Sequence, residues 1–246
     1  MTDSGGTGWT IPDVRPTLVP GELHVWRIGL DPPVERLPAL RRLLTPDEND
    51  RADRFYFEID RNRFIAAHAA LRALLGDYLG GGPCREPFRA GRDGKPELAS
   101  SGGLRFNLSH SRNLGLAAFA AGQSVGVDLE AIDRDVEVEA IAERFFSAPE
   151  RRALLGLPEA KWRDGFFHLW SQKEAYLKGR GDGVIHGLDH FDMVADPDQP
   201  AALLVDRRDV QATGRWRVYS CDPGAGFRGA VAIEGEPAVL RRFAWR

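Results

Sequence analysis

Two stretches of this chain open helices in the same way, 102 residues apart. Thr45-Pro46-Asp47-Glu48 and Ser147-Ala148-Pro149-Glu150 each supply a hydroxyl at the N-cap, a proline in the first turn and a glutamate three residues on. In that pattern hydroxyl and carboxylate satisfy each other's backbone amides. Phe64 and Phe167 are 103 residues apart, as are Gly76 and Gly179, and the 102 shift lays Val25 on Val127. Each box follows a strand-like segment, Glu22 to Leu30 or Val125 to Glu130, and precedes a long helical pattern, about 61–79 or 159–178. A unit of strand, capped helix and long helix used twice predicts an α+β fold. Its two similar halves would be related by pseudo-two-fold symmetry, with a ligand cleft between them. The expected divisions are a disordered N-terminus at 1–18, one half at 19–122 and a second at 123–246, joined near Gly122-Gln123-Ser124.

The halves are not chemically equivalent. On a strand, side chains alternate between faces, so Asp128 and Glu130 share one face roughly 7 Å apart while Val127 and Leu129 enter a core. Two such carboxylates repel unless a cation lies between them, and a hard divalent ion such as Mg²⁺ suits oxygen ligands. Glu174 and Lys178 stand one helical turn apart and could complete the site, Glu174 as a third ligand and Lys178 beside a bound anion. Taken singly, an Asp-x-Glu pair is ordinarily a solvated turn, and a Glu–Lys pair is ordinarily an exposed ion pair. The shift places Trp26, Ile28 and Leu71 where the second half has Asp128, Glu130 and Glu174, so only one metal–phosphate site is expected, on the second half.

Other segments suggest phosphate contacts from the first half. Asn107-Leu108-Ser109-His110-Ser111 packs hydroxyls and an imidazole at the end of a strand, and Arg51, Arg61, Arg63 and Lys95 could line a groove. Lys95 lies in a polar turn, Gly91-Arg92-Asp93-Gly94-Lys95-Pro96. Further strands are expected at 104–109, at 114–121, after Leu188 and between Arg215 and Ser220. No Gly-x-Ser-x-Gly, Walker-type or dinucleotide fingerprint occurs. A net charge of −3 implies no general affinity for nucleic acid. No apolar run reaches transmembrane length and no signal peptide opens the chain, so no membrane partner is expected. Cys84 and Cys221 fit no metal spacing and suit a reducing, cytoplasmic setting.

Gly126-Val127-Asp128-Leu129-Glu130, Phe145-Phe146-Ser147-Ala148-Pro149-Glu150 and Trp170-Ser171-Gln172-Lys173-Glu174-Ala175-Tyr176-Leu177-Lys178 resemble the ordered motifs of the 4′-phosphopantetheinyl transferases. Asn107 to Ser111 and Gly94-Lys95-Pro96 resemble the upstream motifs of the longer, surfactin-synthetase-activating (Sfp) type. The resemblance implies a monomer of two α+β halves. It implies transfer of the phosphopantetheine arm of coenzyme A to a serine of an apo acyl or peptidyl carrier protein, with release of 3′,5′-ADP. Fatty-acid, polyketide and non-ribosomal peptide synthesis all use such carriers. By motif, Asp128, Glu130 and Glu174 match Mg²⁺ ligands, and Glu174 is also a candidate base. Lys178 matches a phosphate-stabilising lysine, and Lys95, Ser109 and His110 match coenzyme A contacts. Lysines usual after the first capping box are replaced here, which leaves Arg63, then Arg51, as candidates for the 3′-phosphate. A Mg²⁺-dependent nucleotide phosphoesterase and a non-catalytic carrier-binding module are the competing readings; the intact Asp128, Glu130, Glu174 set speaks against the module.

Overall fold

A computed structural model describes residues 8–91, 94–133, 136–181 and 187–246. Met1 to Thr7, from the N-terminus expected to be disordered, and Arg92 and Asp93 of the polar turn lie outside the described residues. The fold is mixed α+β. In chain order the first elements are β1 (Glu22–Gly29), α1 (Leu37–Arg41), α2 (Pro46–Asp53), α3 (Glu58–Tyr78), β2 (Arg89–Ala90), β3 (Pro96–Glu97), β4 (Leu104–Ser111) and β5 (Leu114–Ala121). Then come β6 (Val125–Ala131), α4 (Val138–Phe145), α5 (Ala148–Leu155), α6 (Trp162–Arg180), β7 (Phe191–Met193), β8 (Leu203–Asp206), α7 (Ala212–Arg215), β9 (Trp216–Ser220), β10 (Phe227–Glu234) and β11 (Val239–Ala244).

Both expected capping boxes form. Thr45 caps α2 with Glu48 and Ser147 caps α5 with Glu150, each hydroxyl accepting from the glutamate's amide and each carboxylate accepting from the N-cap amide. The two larger sheets have the orders β11-β1-β5-β4 and β6-β10-β9, and β2-β3 and β7-β8 form two-stranded sheets. β1 pairs antiparallel with β5, and β6 pairs antiparallel with β10. The final strand, β11, returns to pair in parallel with β1.

The sheets face each other, and strand alternation decides what each face buries. Leu23 and Val25 of β1, Leu116 and Ala118 of β5, Val125, Val127 and Leu129 of β6, and Val231 and Ile233 of β10 make one core between the sheets. Each large apolar side chain so buried contributes about 1.5–3 kcal/mol. The alternate residues Trp26 and Ile28 face the core built on α3. On the second sheet the outer face belongs to α6, whose Phe166, Phe167, Leu169, Ala175 and Tyr176 are buried with Ala230 and Ala232 of β10. Gly126 permits this contact: a Cβ there would lie 2.1 Å from the Gly179 amide nitrogen and 2.2 Å from the Ala175 carbonyl oxygen. Gly181 ends α6 in the left-handed region at φ 73°, its amide donating to the Leu177 carbonyl.

β4 is longer than expected and joins the two sheets. The Asn107 side chain accepts from the Val127 amide, Ser109 donates to Asp128, and Ser111 accepts from the Ala131 amide. The polar Asn107–Ser111 segment, expected at the end of a strand, lies within β4, and its odd-numbered side chains clip the edge of β6. Among the described residues no helix is long and apolar enough to cross a membrane.

Candidate active site

The site is built where β6, α6 and β4 meet. Strand alternation turns Asp128 away from the inter-sheet core, toward α6, where it is almost fully buried. Lys178 reaches it from the last turns of α6: its ammonium donates to Asp128 Oδ1 at 2.5 Å and to Ser109 Oγ at 3.2 Å. Ser109 Oγ donates to the same Asp128 oxygen at 3.0 Å. Asp128 Oδ2 is buried and has no hydrogen-bond partner among the described residues. Burial opposes the Lys178 charge, but Asp128, Glu174 and Glu130 together hold its ammonium above the ordinary lysine range.

Glu174 lies one turn before Lys178 on α6. Burial pushes its carboxyl up to about 7, Lys178 pulls it back, and the charges of Asp128 and Glu130 push it further up. Glu174 therefore feels the charges of both other carboxylates, although no group of three or more His, Cys, Asp or Glu side chains among the described residues is drawn together as a metal cluster. The donors nevertheless suit a hard cation: Glu174 is repelled by Asp128 and Glu130, and one buried Asp128 oxygen lacks a donor among the described residues.

A cleft of about 640 Å³ opens on the other side of β4. His110, Leu108 and Phe106 supply one wall, Thr45 to Glu48 with Arg51 and Arg54 another, and His68, Arg72, Arg85 and Arg89 add basic groups. Burial, then His68, Lys178 and Arg51, hold the His110 imidazole below its ordinary value. Arg51 also lies over the Phe64 ring, 5.1 Å from its centroid. Arg63 does not line this cleft; its guanidinium donates to both Asp31 oxygens, at 2.7 and 3.0 Å. Gly94 and Pro96 line the cleft, but the Lys95 ammonium between them donates to the Val125 and Gly179 carbonyls. Burial brings Lys95 down to about 8, with Glu97 pulling up and Arg105 pushing down.

Sequence reasoning missed His68, Arg72 and Arg85. Helical spacing put His68 in the apolar stripe of α3, yet its Nδ1 lies 2.9 Å from Glu48 Oε1. Arg72 donates to both Glu48 oxygens at 3.0–3.1 Å. Burial would raise Glu48, but His68, Arg72 and the Thr45 amide bring it down to about 2. The capping box was the available signal, since a buried capping glutamate requires a cation from the next helix.

A sequence model described as the 4′-phosphopantetheinyl transferase superfamily matches residues 124–232, a range holding Asp128, Glu130, Glu174 and Lys178. The 4′-phosphopantetheinyl transferase HetI of Nostoc sp. (strain PCC 7120) is 39% identical over 222 residues, covering 89% of this chain and 90% of the relative. The 4′-phosphopantetheinyl transferase psf-1 of Bacillus pumilus is 33% identical, covering 77% and 79%. The 4′-phosphopantetheinyl transferase Sfp of Bacillus subtilis (strain 168) is 28% identical, covering 82% and 89%.

Proposed function

This chain belongs to the 4′-phosphopantetheinyl transferase superfamily, and we propose that the seam of β4, β6 and α6 is where it moves the phosphopantetheine arm of coenzyme A onto a carrier-protein serine. The enzyme is a transferase. Its reaction breaks the bond between the β-phosphorus and the bridging oxygen of the coenzyme A pyrophosphate. The serine oxygen forms the new bond to that phosphorus, and 3′,5′-ADP leaves with the electron pair. The serine proton must go to a base. Glu174, which lies one turn before Lys178 and whose carboxyl stands at about 7 in the cation-free protein, is the candidate for that role.

Asp128, Glu130 and Glu174 would hold Mg²⁺. When bound, the ion supplies charge neutralisation at the pyrophosphate. Lys178, a cation held charged by three carboxylates, is placed to stabilise negative charge on the transferred phosphoryl group. Ser109 orients Lys178 and Asp128 from β4. His110 and Arg51, both on the cleft wall, are the groups assigned to the 3′-phosphate, and they displace Arg63 from that role because Arg63 is already paired with Asp31. The halves 19–122 and 123–246 would then divide the work, nucleotide contacts from the first and the reacting phosphate from the second. Two buried free thiols, Cys84 and Cys221, support action in a reducing compartment such as the cytoplasm. We assign the active unit as a monomer, since one chain carries both cleft and carboxylates.

The observation that carries the reading is Asp128: one carboxylate oxygen is gripped by Lys178 and Ser109, and the other is buried without a donor among the described residues. The test is to incubate the protein with coenzyme A, Mg²⁺ and an apo carrier and weigh the carrier. A gain of one phosphopantetheine, lost with chelator and restored by Mg²⁺, is the expected result. Phosphate release with an unmodified carrier would instead establish a phosphoesterase.

A further inference from the structure

Lys95 sits on a loop of the first half, between two residues that face the cleft. Gly94 and Pro96 line that cleft; the Lys95 side chain runs the other way. The Gly91 amide donates to the Lys95 carbonyl at 2.8 Å, and Gly94 takes a φ of 82°. Its ammonium donates to the Val125 carbonyl at 2.7 Å and to the Gly179 carbonyl at 3.2 Å. Val125 begins β6 and Gly179 lies in the last turn of α6. The last carbonyls of a helix have no partner within it, and a cation there is favourable.

The two carbonyls lie where strand and helix backbones come close together. Any Cβ on Gly126 would collide with the backbone of Gly179. Lys178 and Asp128, whose side chains meet at 2.5 Å, flank this contact. The angle between β6 and α6 at this point therefore decides whether Lys178, Asp128 and Glu174 stand in working register. Lys95 is the side chain from the first half that ties both backbones together there.

We propose that Lys95 is a positioning residue: it holds the end of α6 against the start of β6, and so sets the geometry of Lys178, Glu174 and Asp128 without touching coenzyme A. The proposal rests on the reading of that seam as the reacting site. It differs from the role the motif resemblance implies, a direct contact with coenzyme A.

The experiment compares wild type with Lys95→Met and Lys95→Arg in the full chain, using coenzyme A, Mg²⁺ and an apo carrier. Wild-type transfer onto the carrier is the control for the underlying reading, and its failure would remove that reading rather than this one. With transfer established, Lys95→Met should bind coenzyme A within about 3-fold of wild type while kcat falls by about 10–100-fold, the scale of a small misplacement. Lys95→Arg, which keeps a donor to both carbonyls, should recover part of kcat. Amides at the end of α6, such as Gly181, should exchange hydrogen faster in Lys95→Met. A weakened coenzyme A affinity with kcat intact would overturn the proposal in favour of a ligand contact, and wild-type kinetics in both variants would overturn it altogether. If Lys95→Met does not fold, Lys95→Arg decides by the same split between kcat and affinity.

Discussion

Glu48 and Glu150 each close a capping box, and each is met by a cation from the long helix that follows: Arg72 from α3, Lys173 from α6. The surroundings differ. Glu48 faces the cleft and shares its charge with Arg72 and His68, which bring it down to about 2. Glu150 takes the Lys173 ammonium at 2.5 and 2.7 Å and the Met193 amide at 2.8 Å, and Lys173 also donates to the Phe191 carbonyl. There burial pushes the Glu150 carboxyl up and the Lys173 ammonium down. One local device thus serves two ends. In the first half it leaves charged groups in a ligand wall. In the second it locks the rotation of α6, so that Glu174, next to Lys173, faces the candidate site.

The largest effect expected is on that lock. Lys173→Met should destabilise the protein by about 3–5 kcal/mol in denaturant unfolding, because it strands a buried carboxylate. Adding Glu150→Gln should recover much of the loss. A single-variant cost below about 1 kcal/mol would show that the second network is no drier than the first.

Lys178 lies on the same helix and also faces a buried carboxylate, but its loss should be read mainly in turnover. Lys178→Ala should lower kcat by about 10²–10³, as for loss of a preorganised donor, and should also lower the unfolding midpoint because it strands the buried Asp128 carboxylate. An unaltered kcat would reduce Lys178 to an ion-pair partner of Asp128.

The Glu48 network should show itself in acid. The folded-state value of Glu48 lies below its ordinary 4.5, so its contribution, on the order of 3 kcal/mol, is present above about pH 4.5 and fades as pH falls toward 2. Glu48→Gln should flatten the pH dependence of stability in that window. An equal slope in both proteins would remove Glu48 as its source.

The smallest effect concerns His110. His110→Ala should weaken coenzyme A by about 1–3 kcal/mol and dephospho-coenzyme A by less. Since its imidazole is held low in the free protein, a bound phosphate would draw a proton onto it. Wild-type affinity for coenzyme A should therefore rise as pH falls through the bound-state value. Calorimetry showing equal losses for both ligands would take His110 away from the 3′-phosphate.

These contrasts also divide what could be read in advance from what could not. Thr45 with Glu48, Ser147 with Glu150, and the shared face of Glu174 and Lys178 were legible because each is a hydrogen-bonding or periodic pattern within a few residues. The turn of Asp128 away from Val127 and Leu129 was legible for the same reason. α1, α4, β10 and β11 were not anticipated, and β11 finds its partner β1 across more than two hundred residues. His68 falls at helical spacing among apolar residues of α3, and spacing states direction but not what stands opposite. Arg63 looked free because Asp31 lies 32 residues away, and Lys95 because its carbonyls are 30 and 84 residues away.

Helix starts, and the residues that share a strand or helix face, were legible from residue order alone, because they depend on dihedral preferences and periods of 2 and 3.6 residues. Which cation each carboxylate meets, the clip of Asn107, Ser109 and Ser111 between the sheets, and the turn of Lys95 from the cleft to the seam were not legible there. Those outcomes depend on distances between segments far apart in the chain, and packing and hydrogen-bond satisfaction of the whole molecule set such distances, not local preference.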